Sequence, residues 1–156
     1  MHPRAAEFTE RASDRYGVDV AVEEFPDGTK TAADAAAAVG CEVAQIASSL
    51  AFDADGDLVV VVTSGANRVS EARLADHLGA TEVEMADPDR IATVLGWSIG
   101  GVPPFCHDTD VPVLFDETLL DHETVWAAAG TPEAVFPMAP EEIRRLADAR
   151  AVDVAE

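Results

Sequence analysis

The chain has 156 residues, and its 30 Asp and Glu residues against 10 Lys and Arg give a formal net charge of −20. This charge opposes broad electrostatic contact with nucleic acid, and the 48% of hydrophobic residues argues against intrinsic disorder. The length suits one domain over residues 1–156. The sequence has no apolar run of the ~20 residues that a membrane helix needs, and we predict no N-terminal secretion signal.

The acidic residues are spread along the whole chain rather than gathered in a tail. This distribution favours a cytoplasmic protein from a high-salt cell, because at molar ionic strength the Debye length falls to about 3 Å and carboxylates crowd with little repulsion. An acidic surface that binds a basic protein is the alternative. Lys30 is the only lysine, so any wider contact with phosphates would depend on arginines such as Arg68 and Arg73.

The first half of the chain alternates helical periodicity with short β patterns. Glycines end the helices, and an acidic, glycine-containing turn joins two apolar strands as in a hairpin. The predicted elements are a helix over 3–16 ended by Gly17, a strand from 18 to about 24, a turn over 25–28, a helix between Thr31 and Gly40, and strands over 46–52 and 58–63.

The second half has the same mixed character, with capping residues before its helices. The predicted elements are a helix after Ser70 to 77 or 78, a strand over 81–85, a helix over 88–95, a glycine- and proline-rich loop over 96–110, strands over 111–115, 124–129 and 134–138, and a helix over 140–146. Because strands and helices do not alternate strictly, we predict one α+β domain with a mixed sheet.

Several common active-site motifs are absent from the sequence. It contains no phosphate-binding loop ending in Lys-Ser or Lys-Thr, no GxGxxG, no HExxH and no GxSxG. Two cysteines and four histidines also make a poor zinc set. Nucleotide hydrolysis, Rossmann-type redox chemistry and zinc proteolysis are therefore not predicted, and we expect neither a metal nor a cofactor.

The segment Gly100–Phe105 is the strongest candidate for a site that acts through its main chain. Adjacent Gly100 and Gly101 have no Cβ, so their N–H groups could approach a carbonyl or a developing oxyanion, and Pro103 and Pro104 stiffen the exit. The alternative interpretation is a tight surface turn.

Other candidates each have a simpler structural explanation. Cys106 beside His107 could be a nucleophile pair, or a packed thiol next to a loop histidine. Asp116 could position a substrate hydroxyl or amine, or cap the turn at 117–120. Ser48 and Ser49 could bind substrate or satisfy a strand edge.

The motifs in chain order resemble the YbaK/EbsC family, the aminoacyl-tRNA editing domain also associated with prolyl-tRNA synthetases. The resemblance runs from about residue 18 to the end, after the N-terminal helix of residues 1–17. It is carried by Thr31–Ala36, Gln45–Phe52, Ser64–Val69, Ile99–Phe105, Pro112–Glu117 and Val125–Pro132.

The resemblance implies a mixed, mostly antiparallel, barrel-like sheet surrounded by helices. It implies metal-independent hydrolysis of a mischarged tRNA, with alanine or cysteine on a proline tRNA as the best guess, and prolyl-tRNA synthetase as a further partner. The residues it assigns to catalysis are Gly100, Gly101 and Ser48. Those it assigns to the substrate at the acceptor end are Phe25, Lys30, Ser49, Val102, Pro103, His107, Asp116 and Gly130.

One position departs from the family pattern. The family has a lysine in its Ile-x-Lys-Ser-Leu segment, and this chain has Ser48 there. Serine replaces a charged group with three donors by one neutral hydroxyl, and such a loss could cost orders of magnitude in rate. The alternative function is therefore a catalytically degenerate module that still binds the acceptor end.

Overall fold

A computed structural model describes residues 1–25 and 31–156. Lys30 and the predicted turn at 26–28 lie outside the described residues. The helices are α1 Pro3–Tyr16, α2 Ala32–Val39, α3 Glu71–Leu78, α4 Pro88–Leu95 and α5 Pro140–Leu146.

Side-chain caps fix where these helices begin. Thr31, Ser70 and Asp87 each accept a hydrogen bond from a main-chain N–H in the first turn of the following helix, as their residue types predict. His2 caps α1 through its ring nitrogen Nδ1, 3.1 Å from the Arg4 nitrogen, a cap that the sequence analysis did not predict. All five helices agree with the sequence prediction to within a residue or two.

The strands are β1 Glu23–Glu24, β2 Ile46–Ala54, β3 Asp57–Ser64, β4 Val83–Met85, β5 Val113–Asp116, β6 Val125–Ala128, β7 Ala134–Met138 and β8 Arg150–Val152. They form one sheet in the order β1-β7-β6-β2-β3-β5-β8, and β4 pairs with β2 off this path. Four of the pairings are antiparallel and three are parallel. The predicted α+β class with a mixed sheet is confirmed.

Two strand predictions were wrong in extent, and one strand was not predicted. The strand predicted from 18 to 24 is only Glu23–Glu24, because Val18, Val20 and Val22 pack against the core without strand pairing. The strand predicted from 81 starts at Val83, since the Asp55 carboxylate binds the N–H groups of residues 81 and 82. β8 was not predicted, because its three residues have no clear alternation.

The sheet is covered on both faces. Along β3, Val60 and Val62 lie in the main core with α1, α4 and α5, whereas Val59 and Val61 lie in a second core beside α3 and β8. The continuous apolar run of β3 is thus that of a strand buried on both faces.

One edge of β2 is interrupted, and this interruption positions the candidate site. On that edge β6 pairs with Ile46 and Ala47, and β4 pairs from Phe52 to Ala54. The N–H of Ala86, just after β4, donates to the carbonyl of Ala51. Among the described residues, the stretch 48–50 therefore has no strand beside it on this edge. We call this stretch the β2 gap.

Candidate functional site

A cavity of about 220 Å³ opens at the β2 gap. Its walls come from β2, the start of α2, Ile91 of α4, the glycine loop after α4, and the connection between β6 and β7. Of the predicted site residues, the cavity is lined by Ser48, Ser49, Gly100 and Val102.

Ser48 and Ser49 reach this cavity from opposite faces of the sheet. Ala47 and Ala51 lie in the main core, so the side chain of Ser49 between them points to the same face. Ser48 lies between Ile46 and Leu50, which face α2 and the second core. The cavity contacts both faces because it passes through the gap in the sheet.

The main chain of Ser49 is also directed into the gap. The hairpin between β2 and β3 has a two-residue loop, so its closing pair, Ala54 and Asp57, exchanges hydrogen bonds, and alternate residues of β2 turn the other way. Accordingly, the Ile46 carbonyl accepts from Gly65 on the β3 side and the Ala51 carbonyl accepts from Ala86 on the other. This alternation turns the N–H and C=O of Ser49 toward the cavity.

The two glycines of the loop differ in role. Gly100 lines the cavity in a left-handed conformation with φ of 86°, and its N–H makes no hydrogen bond within the described residues. The N–H of Gly101 donates to the Ser98 carbonyl at 3.0 Å, which corrects the expectation that both amides face the substrate. A Cβ on Gly101 would lie 2.7 Å from the Cα of Thr131, so Gly101 acts by close packing of two cavity walls.

The glycine loop is fixed from behind by buried groups. Trp97 Nε1 donates to the Cys106 carbonyl at 2.9 Å, and Arg15 of α1 donates to the His107 carbonyl at 3.0 Å. His107 Nε2 lies 2.8 Å from the Pro103 carbonyl oxygen, to which it donates. Residues 96–110 therefore form an anchored loop, supported by α1.

These contacts argue against a Cys–His nucleophile. Burial raises the pKa of the Cys106 thiol to about 11, which leaves almost no thiolate at neutral pH. Burial also lowers the pKa of His107, so its ring is held neutral. Neither side chain lines the cavity, and the interpretation of Cys106 as a packed thiol is confirmed.

Asp116 is a structural carboxylate that lies away from the cavity lining. It is fully buried and accepts hydrogen bonds from Thr63 Oγ1, the Ser64 N–H, Asn67 Nδ2, and both the N–H and hydroxyl of Thr118. Burial pushes the pKa of Asp116 upward, but these hydrogen bonds outweigh it and hold the pKa below the usual value. The predicted cap of the 117–120 turn is confirmed, and no acceptor capacity remains for a substrate.

The other predicted residues lie behind or beside the cavity. A Cβ on Gly130, whose φ is 91°, would lie 2.7 Å from the Trp97 ring, so this glycine packs against the loop support. Phe25 is half-buried, and its N–H donates to the Glu133 carbonyl at 2.7 Å. Pro103 is buried and contributes its carbonyl to His107.

The mouth of the cavity is apolar. Met85 and Ile99 line it and are 50% and 53% exposed, an unusual exposure for large hydrophobic side chains. A second, shallower groove shares Leu50 and Met85 with the cavity and contains Arg68. Met85 lies outside every motif in the sequence, and Ile99 only begins the glycine-loop segment, because only the tertiary structure brings the two side chains together.

The described residues show neither a metal site nor a membrane helix. Residues 1–25 and 31–156 contain no group of three or more His, Cys, Asp or Glu side chains arranged to hold a metal ion. Every helix in the same ranges is too short or too polar to span a bilayer.

Comparisons with known proteins agree with this geometry. Residues 26–146 match the family model described as the aminoacyl-tRNA editing domain. The Bacillus subtilis protein YwhH is 28% identical over 122 residues, 78% of each chain. The proline–tRNA ligase of Lysinibacillus sphaericus is 32% identical over 118 residues, which are 72% of this chain and only 21% of that enzyme.

Two solved structures share the fold over nearly the whole chain. A proposed trans-editing enzyme for prolyl-tRNA synthetase superposes with a TM-score of 0.94 at 36% identity, covering 100% of this chain and 99% of that one. The hypothetical protein APE2540 superposes with a TM-score of 0.86 at 25% identity, covering 96% and 99%.

Proposed function

Because the chain belongs to the aminoacyl-tRNA editing domain family, we propose that it hydrolyses, in trans, the ester that joins a wrong, small amino acid to a proline tRNA. The observation that carries this proposal is the cavity at the β2 gap, with small apolar walls and unoccupied main-chain donors. A volume of about 220 Å³ suits a small aminoacyl group. Alanine and cysteine are the amino acids that the family resemblance implies.

The reaction is an ester hydrolysis in which water attacks the aminoacyl carbonyl carbon. The carbonyl becomes an oxyanion, the bond to the ribose oxygen then breaks, and the amino acid and the free 3′ end of the tRNA leave. Gly100 lines the cavity and its N–H has no acceptor among the described residues, while the register of β2 turns the Ser49 N–H toward the same gap. Fixed donors of this kind stabilise an oxyanion without reorganisation. The family resemblance implies that water or a hydroxyl of the terminal ribose takes part in the chemistry.

The exposed Met85 and Ile99 at the mouth support binding of the terminal adenosine. A purine ring can pack on such apolar side chains, and this packing depends little on salt. The contact suits a protein with a charge of −20, which we propose works in a high-salt cytoplasm.

The direct test is deacylation in molar KCl of proline tRNA charged in turn with alanine, cysteine, serine, threonine and proline. We expect hydrolysis of at least one small mischarged amino acid and little hydrolysis of the cognate prolyl ester. Release at the rate of buffer alone for every ester, from protein whose circular dichroism shows a folded state, would contradict the proposal.

Arg68 is the arginine best placed to bind a phosphate of the acceptor end. The other eight arginines each donate a hydrogen bond, as Arg73 does to Asp153 at 2.7 Å, whereas the Arg68 guanidinium has no partner within the described residues. Arg68 shares its groove with Leu50 and Phe52, which lie on the same face of β2 as Ser48. Its charge therefore stands on the face where the family lysine is missing.

We expect Arg68→Ala to raise KM for charged tRNA several-fold with little change in kcat. We also expect it to reduce the slope of log binding constant against log salt concentration by about one, the value for one lost phosphate contact. Arg73→Ala removes the same charge from an ion-paired site and is the matched control. The measurement is KM and binding across a KCl titration. Equal effects of the two substitutions would exclude this role for Arg68.

The degenerate binding module is the second candidate function, and Ser48→Lys discriminates it. If the donors are main-chain groups, lysine at this position leaves them in place, and we expect an active wild type and less than a tenfold change in kcat/KM. A wild type without detectable activity, whose kcat/KM rises about a hundredfold or more on Ser48→Lys, would favour the degenerate module. Ser48→Ala is the control for loss of the hydroxyl alone.

A further inference from the structure

Helix α1 contacts both walls of the cavity, although none of its residues lines the cavity. On one side, an added Cβ at Gly130 would lie 2.8 Å from the Arg4 carbonyl oxygen. On the other side, the fully buried Phe8 packs edge-on against Trp97, with ring centroids 6.3 Å apart. Because α1 precedes residues 26–146, which match the family model, its role is defined by its contacts.

Two arginines of α1 hold the glycine loop on either side of its double glycine. The Arg4 guanidinium donates to the Gly96 carbonyl, and its Cζ lies 4.2 Å from the centroid of the Trp97 ring. Arg15, three turns further along α1, donates to the His107 carbonyl at 3.0 Å. Both ends of the loop are therefore attached to the same rigid helix.

The loop has little structure of its own that could fix its shape. It connects α4, which ends at Leu95, to β5, which begins at Val113. Within the described residues, the one main-chain turn closed inside it by a hydrogen bond joins the Gly101 N–H to the Ser98 carbonyl. Main-chain donors stabilise an oxyanion only when their positions are fixed in advance, so the attachment to α1 bears directly on the site.

We propose that Arg4 and Arg15 are positioning residues for the ester hydrolysis. They hold the glycine loop in place, so that Gly100, the proposed oxyanion donor, keeps a fixed position in the cavity wall. This inference rests on the proposed function and extends it to a helix that does not line the cavity. Since both arginines lie outside the cavity, their loss should affect the transition state more than the binding of tRNA.

The kinetic test compares Arg4→Ala and Arg15→Ala with Arg145→Ala. Arg145 is the matched control, because it pairs with Glu142 three residues away, as Arg4 pairs with Glu7, but lies on α5. We expect kcat to fall about tenfold in each α1 variant while KM changes less than about twofold, and Arg145→Ala to change neither. Equal decreases in all three variants, or a rise in KM without a fall in kcat, would overturn the inference.

Conservative variants identify the contact responsible. Arg15→Lys keeps a donor on a long stem for the His107 carbonyl, so we expect it to recover most of kcat. Arg4→Lys keeps the charge but loses the planar group over Trp97, so we expect a smaller recovery. If Arg15→Lys is as slow as Arg15→Ala, the hydrogen bond to the loop is not the cause, and the assignment of Arg15 is overturned.

Amide hydrogen exchange tests the attachment of the loop without turnover. The Gly101 N–H reports on the loop, and the amides of β3 report on opening of the whole sheet. We expect Arg4→Ala and Arg15→Ala to speed exchange at Gly101 about tenfold and to leave β3 unchanged. Arg15→Ala keeps the contact between Arg4 and Trp97, so it serves alone if Arg4→Ala does not fold.

The positioning role and the deacylase proposal fail separately. If wild type hydrolyses no ester but loop exchange rises in the variants, the deacylase proposal fails and the attachment of the loop to α1 stands. If wild type is active and the variants keep its kcat, the positioning role fails and the deacylase proposal stands. Faster loop exchange with unchanged kcat would show that the arginines support the fold alone.

Discussion

Replacing Asp116 by alanine is expected to lower the free energy of unfolding by about 3 kcal/mol. The carboxylate is fully buried, and its removal leaves the buried Thr63 hydroxyl and Ser64 N–H without an acceptor. It also removes the acceptor of the Thr118 N–H, and with it the cap of the short helical turn that follows β5. For a domain whose total stability is in the range of 5–15 kcal/mol, this loss is a large fraction.

Glu117→Ala is the matched control, because it removes the same charge from an exposed neighbour. Urea unfolding of wild type and both variants in the same molar salt gives the comparison. We expect a clear decrease in the midpoint for Asp116→Ala and almost none for Glu117→Ala. Equal midpoints for the two variants would contradict the structural role of Asp116.

The same pair of variants gives a pH signature. The pKa of Asp116 is lower in the folded protein than its ordinary value of 3.8, so its stabilising contribution is complete above that pH. The contribution is lost as pH falls through the folded pKa. The stability difference between wild type and Asp116→Ala should therefore shrink in strong acid.

Gly101→Ala is expected to reduce kcat/KM at least about a hundredfold, because displacement of catalytic groups by about 1 Å has effects of this size. The new Cβ would lie 2.7 Å from Thr131 Cα and 2.9 Å from Thr131 N, and backbone atoms cannot rotate away as a flexible side chain can. Gly100 and Val102 on one side, and Thr131 on the other, line the cavity. Separating these walls would displace Gly100, whose N–H we propose as an oxyanion donor.

Gly79→Ala is a control for backbone strain. Gly79 has φ of 66° at the end of α3, and an added Cβ would meet nothing within 4 Å, so this variant loses stability without a steric clash near the cavity. Single-turnover deacylation at a temperature where both variants are folded gives the comparison. Similar rates for the two variants would show that the packing of Gly101 on Thr131 does not shape the site.

The local elements could be predicted from the sequence because their signals are local. Thr31, Ser70 and Asp87 cap helices through their own side chains, and the acidic hairpin turn joins two apolar strands. The family resemblance indicated the fold and the cavity-lining positions Ser48 and Gly100. The strand predicted from residue 18 failed because alternation of valines also suits packing of an unpaired segment on a core.

Site roles were harder to predict. The N–H of Gly101 is used within its own turn, and His107 and Gly130 support the loop from behind rather than facing the cavity. Asp116 has a capping role that its position before 117–120 did predict, and the structure adds contacts from residues far away in sequence. Residues such as Met85 had no sequence signal at all.

The sequence by itself determined the acidic character, the α+β class, the helix ends and the family, because each depends on composition, short periodicity or motif order. Only the tertiary structure decided which donors are available to a substrate. That β6 and β4 pair with separate parts of one edge of β2 is a matter of strand register between distant segments. This register leaves the main chain of Ser49 without a strand partner on that edge, beside the cavity, which no local pattern could indicate.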